Sequence, residues 1–111
     1  MDKLEQYRIL IKQILTEHSQ LKSSYGEIDE VVFFDEARDH YQLFSVGWEN
    51  RKRVFGCTIH IDIIDSKIWI QYDGTEVGVA NELVDLGVPK SSIVLAWHSL
   101  NARKLTEFAV G

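Results

Sequence analysis

The apolar and polar positions divide the chain into an amphipathic opening stretch, an alternating middle and a mixed tail. Over residues 2–22, Leu4, Tyr7, Ile11, Ile14, Leu15, His18 and Leu21 recur at the spacing of one helix face. Leu10 widens that stripe, and Lys3, Glu5, Arg8, Lys12, Gln13 and Glu17 lie opposite. Asp2 followed by Glu5 has capping-box spacing, and Ser23-Ser24-Tyr25-Gly26 predicts the helix end. Residues 30–36 form a short run apolar on both faces, which predicts a strand covered on both sides. Residues 40–49 predict a second strand, with Phe44, Val46 and Trp48 on one side. Residues 53–64 alternate most clearly: Phe55, Cys57, Ile59, Ile61 and Ile63 against Val54, Gly56, Thr58, His60 and Asp62. Asp65-Ser66 is a two-residue turn into a fourth strand at 67–73.

That turn fixes a register. It pairs Ile64 with Lys67 and, on the apolar face, Ile63 with Ile68, Ile61 with Ile70 and Ile59 with Tyr72. The other face then pairs Asp62 with Trp69, His60 with Gln71 and Thr58 with Asp73. A slip of one residue would mix the faces. A second helix is predicted at 76–86, capped by Thr75, with Val77, Ala80, Leu83, Val84 and either Val79 or Leu86 inward, and Gly87 and Pro89 as its stop. Ile93 to Trp97 reads as a buried strand, 99–105 as a helical turn and 107–110 as a last short strand. Strands joined by tight turns are antiparallel, and flanking helices pack on one face. The expectation is an α+β two-layer sandwich: an antiparallel four-strand meander, two helices on its apolar face, and a short C-terminal strand.

The composition narrows the class. The 111 residues are 45% apolar, with one proline, no repeat and no low-complexity tract, so residues 1–111 are expected to form a single domain. Seventeen acidic against 12 basic residues give a net charge of −5, unlike a general nucleic-acid coat. One cysteine excludes an intramolecular disulfide framework and fits a reducing, cytoplasmic setting. Met1-Asp2-Lys3-Leu4-Glu5 lacks the apolar run of a signal peptide, and no stretch suits a membrane span.

The chemistry is sparse. His60 and Asp62 share a strand face at i, i+2 and could hold a metal, but two ligands do not make a site, and no spacing brings His98 to them. Cys57 points inward on the alternation and reads as packing with Ile61, whereas a nucleophile needs exposure. Asp35, Glu36 and Asp39 lack the alternating ligands of a calcium loop and read as a solvated turn. Arg51, Lys52 and Arg53 at a hairpin tip are candidate phosphate contacts, and Arg103-Lys104 is a smaller basic pair. Trp48 and Trp97 read as core. Trp69 falls on the polar face with Thr58, His60, Asp62, Gln71 and Asp73, and these six are the candidate interaction surface. Either a partner or the chain's own C-terminal segment covers it. No catalytic residue or cofactor site is indicated.

Several stretches together carry a family resemblance: Tyr7-Arg8, Tyr41-Gln42-Leu43, Val46-Gly47-Trp48, Cys57 to Ile63, Lys67 to Gln71, Glu82 to Lys90 and Thr106 to Val110. Over Leu4 to Gly111 the chain resembles the XisI family, cyanobacterial controlling factors for excision of the fdxN DNA element. The resemblance implies an accessory role in a programmed DNA rearrangement of heterocyst-forming cells, with recombination done by a separate recombinase. It implies protein–protein interaction with an XisH-like partner or a second copy, without a membrane, and DNA contacted weakly or indirectly. It supplies no catalytic residues. The alternatives are direct DNA binding through Arg51-Lys52-Arg53 and, further off, a small metal-dependent enzyme using His60 and Asp62.

Overall fold

The computed structural model describes residues 2–21 and 27–111. Helix α1 (Lys3–Ser19) is followed by strands β1 (Glu27–Asp35), β2 (His40–Glu49), β3 (Lys52–Ile64) and β4 (Lys67–Asp73). Helix α2 (Val79–Asp85), strand β5 (Ile93–Leu95) and a single turn, α3 (Leu100–Arg103), complete the order. One sheet carries the five strands in sequence order. The first four form the expected antiparallel meander, and β5 joins β4 in parallel after the α2 crossover. A parallel neighbour requires such a crossover, so α2 is both cover and connection.

Asp2 caps α1 as expected, its carboxylate accepting from Glu5 N at 2.8 Å. The helix is shorter than predicted, ending at Ser19 with Leu21 exposed, and the predicted stop at Ser23–Gly26 lies outside the described residues. Tyr7, Ile11, Ile14 and Leu15 of α1, with Val79 and Leu83 of α2, bury against Tyr41, Leu43, Ile59, Ile61, Ile68 and Ile70 of the sheet. His18 meets Glu82 at 2.8 Å, tying the two helices together. Helix α2 begins three residues later than predicted, because Thr75 does not cap it: Asp73 accepts from Val79 N at 2.7 Å and from the Thr75 amide and hydroxyl. Gly87, with φ of 100°, closes the helix as expected.

The turn at Asp65-Ser66 has φ of 50° and 65°, as a right-twisted two-residue hairpin demands. The derived register holds for Ile64, Ile63, Asp62 and Ile61, then shifts. Gln71 is an extra residue, so His60 faces Tyr72 where Gln71 was expected, and Ile59 faces Asp73 where Tyr72 was expected. The shift carries Asp73 to the helix side, where it caps α2. A second bulge at Thr58 pairs Phe44 with Cys57 but Leu43 with Ile59. It lets Tyr41 and Leu43 share the inner face with Ile61 and Ile59, while Phe55 and Cys57 turn outward. Cys57 is therefore half-buried on the open side, not a core residue. Its thiol donates to the Ile59 carbonyl, and burial pushes its pKa up, which leaves it a poor nucleophile.

Other expectations fail because alternation does not reveal which face is covered. Strand β1 is apolar on both sides, yet Val31 and Phe33 are exposed. Trp48 and Trp97, read as core, are 50% and 51% exposed. The predicted strand at 107–110 is reduced to one bridge between Val94 and Ala109.

The acidic turn is occupied by structural bonds. Asp35 accepts from the Arg38 amide at 3.0 Å and Glu36 meets Lys12. Asp39 accepts from Arg8 at 2.8 and 3.2 Å and from the Tyr41 hydroxyl at 2.9 Å, joining α1 to the β1–β2 turn. These bonds, the Arg8 one foremost, hold the Asp39 carboxyl below its ordinary range despite burial. A carboxyl lowered on folding contributes stability above its unfolded pKa of about 4 and loses it as the pH falls through the lowered value. Asp39→Asn, which tolerates the left-handed backbone at φ 59°, should flatten the acid limb of melting temperature against pH below about pH 4. An unchanged acid limb would show that this carboxylate does not govern it.

Candidate functional site on the open sheet face

Both helices pack on one side, so the opposite face is left to the strands and the C-terminal segment. Strand register places Phe33, Gln42, Phe44, Val46, Trp48, Phe55, His60 and Asp62 there. The face has three zones.

The first zone is aromatic. Phe33 meets Phe44 edge-on at 5.7 Å, and Phe44 lies 5.9 Å from Phe55. Phe33 and Phe55 remain 53% and 68% exposed. With Gln42 and Val46 they line a depression of about 290 Å³. Exposed apolar clusters rimmed by polar groups mark interaction surfaces.

The second zone is polar and centres on Asp62, whose exposure is only 7%. Its Oδ1 lies 2.7 Å from His40 Nδ1 and 2.9 Å from His60 Nε2, and its Oδ2 accepts from Gln71 at 3.2 Å. Gln42 Nε2 stands 3.1 Å from His60 Nδ1. The Asp62 hydrogen bond pushes the His40 pKa up against the effect of burial. His40 and Gln42, with Phe33, Phe34, Asp35 and His60, line a groove of about 470 Å³.

The third zone is Trp69 under the chain's own end. Arg103 stacks over its ring at 5.4 Å and donates to the carbonyls of Ala96, His98 and Val110 at 3.0 to 3.2 Å. Lys67 Nζ donates to the Gly111 carbonyl at 3.0 Å. The C-terminal segment thus covers Trp69 in part.

Of the six predicted surface residues, His60, Asp62, Trp69 and Gln71 stay on this face. Asp73 leaves through the Gln71 bulge. Thr58 turns toward Ser45, its hydroxyl 2.7 Å from Ser45 Oγ. His40 and Gln42 were missed. An unbulged β2–β3 hairpin would set His40 against Ile61 and Gln42 against Ile59, and that clash of polar with apolar partners is the signal that could have located the bulge. His98 sits against Trp97, away from the cluster. At the basic tip, Arg53 lies over Trp48 at 5.4 Å, and Glu49 and Lys52 are backbone register partners at the hairpin end. Arg103 is a structural clasp. No helix among the described residues is long and apolar enough to cross a membrane.

These features define a small α+β protein with one sheet face sealed by helices and the other presenting aromatic and imidazole groups. The XisI protein family model matches residues 1–110, and the chain belongs to the XisI family. A crystal structure of a XisI-like protein from Anabaena variabilis superposes with a TM-score of 0.88 at 36% identity, covering 98% of this chain and 100% of that one. A second, described as the fdxN element excision controlling factor XisI from Anabaena variabilis, gives a TM-score of 0.83 at 34% identity, covering 99% and 100%. A comparison with curated proteins gives no match.

Proposed function

We propose that this chain is a non-catalytic controlling factor in the excision of a DNA element, acting by binding a protein partner of the XisH type. Family membership and the 34% identity to a protein described as an excision controlling factor support the excision role. The observation that carries the binding mode is the aromatic row Phe33, Phe44 and Phe55, its two outer rings exposed, on a sheet face that neither helix covers. Aromatic side chains give protein interfaces much of their energy, and burying one contributes about 1.5–3 kcal/mol. Direct DNA binding is less well supported, because the tip offers three cations on an acidic chain, and phosphate contacts of that number are weak and salt-sensitive.

The test is co-purification and titration with an XisH-like partner. The Phe33→Ser, Phe55→Ser double variant should keep its melting temperature, since both rings are exposed, and weaken partner binding by roughly thirtyfold, as loss of a hot-spot residue does. The Arg51→Ala, Lys52→Ala double variant should bind normally. Intact binding by the phenylalanine variant, or loss confined to the Arg51 variant, would refute the assignment.

A further inference from the structure

We propose that His40, His60 and Asp62 form a site for a zinc-class divalent cation, independent of the partner-binding reading. Two imidazole nitrogens and a carboxylate oxygen, from adjacent strands β2 and β3, lie within 4.8 Å of one another. This is a donor set for first-row transition cations. Magnesium and calcium favour all-oxygen shells. Three protein ligands with an open fourth position is the pattern of accessible zinc sites.

The geometry fits after a small movement. Tetrahedral zinc with ligands at about 2.0–2.1 Å separates its donor atoms by about 3.3 Å. Here the nitrogens stand 2.7 and 2.9 Å from Asp62 Oδ1, so the cluster must open by about half an ångström. His40 is the member that can supply that, because its side chain is half-exposed and lines the groove. Asp62 is the fixed member, nearly buried and held by Gln71 through its other oxygen.

The surrounding shell has the right form. A ligating imidazole is oriented by a hydrogen bond at its other nitrogen. Gln42 can provide this for His60: its amide nitrogen stands 3.1 Å from Nδ1, and on metal binding the amide must turn end for end, so that its oxygen accepts from Nδ1 and Nε2 presents its lone pair to the cation. The fourth position opens to the groove beside Phe33 and Asp35, where water completes the shell in the isolated protein.

The experiment uses the full, tag-free chain, stripped of metal. Cobalt(II) should bind one per chain and give the visible absorption of tetrahedral coordination, and zinc should displace it. Zinc, but not magnesium, should raise the melting temperature. His40→Ala and Asp62→Asn should each lower zinc affinity at least about tenfold, and Gln42→Ala by about ten- to a hundredfold, while His98→Ala changes nothing. His40→Ala removes a half-exposed side chain and keeps the fold, so it decides the matter even where Asp62→Asn unfolds. Equal cobalt binding by wild type and His40→Ala would overturn the proposal, and so would a melting temperature that zinc leaves unchanged.

Discussion

Replacing Ile61 by alanine is expected to destabilise the protein by about 2–5 kcal/mol, the cost of emptying a large buried side chain. Ile61 has 0% exposure and lies between Tyr41 on β2 and Ile70 on β4 at the centre of the sheet. The space it leaves cannot close readily. The strands on both sides are held by ladder hydrogen bonds, and α1 and α2 are joined above by the His18–Glu82 bond. Denaturant unfolding should show a lower midpoint with an unchanged slope. A midpoint within about 0.5 kcal/mol of wild type, the range of surface substitutions, would contradict the face assignment of β3.

Gly47→Ala should be nearly as damaging, by about 1–3 kcal/mol. Gly47 has φ of 156°, and a Cβ built on it would overlap the carbonyl oxygen of Glu27 in the neighbouring strand. The backbones of β1 and β2 approach each other too closely there for any side chain, so alanine must push β1 outward. A glycine inside a strand marks such an approach. The effect should be visible as faster amide exchange over Glu27 to Val31, and unchanged exchange there together with unchanged stability would refute the steric argument. Gly56, where an added Cβ would meet nothing within 4 Å, is the control: Gly56→Ala should be tolerated.

The sequence made some of this legible and hid the rest for identifiable reasons. Helix α1, the meander and the turn at Asp65-Ser66 were readable because local periodicity and turn chemistry agreed. Ile59, Ile61 and Ile63 were rightly placed inward. The bulges at Thr58 and Gln71 were invisible because Phe55 and Cys57, though outward, are apolar and continue the isoleucine alternation without a break. Half of the Asp62 cluster was therefore found, as His60 and Asp62 two apart on one strand. His40 and Gln42 were missed, because they arrive from another strand through a register shift. Trp48 and Trp97 were placed in the core because residue type reports a preference for burial, while the choice of covered face depends on where the helices land. The parallel addition of β5 likewise depends on a crossover that no local pattern of Ile93 to Trp97 expresses.

The Arg103 clasp bears on how the protein opens. One guanidinium holds three carbonyls spread over Ala96, His98 and Val110 and rests on Trp69. Together with the Lys67 bond to Gly111 and the Val94–Ala109 bridge, it makes release of the final segment a local step distinct from loss of the whole sheet. The most shielded of the three tryptophans lies beneath that segment, so its emission follows the local step, whereas far-ultraviolet dichroism follows the strands. Transitions recorded by the two probes belong to different events, and the dichroism signal is the one that reports the stability of the sheet.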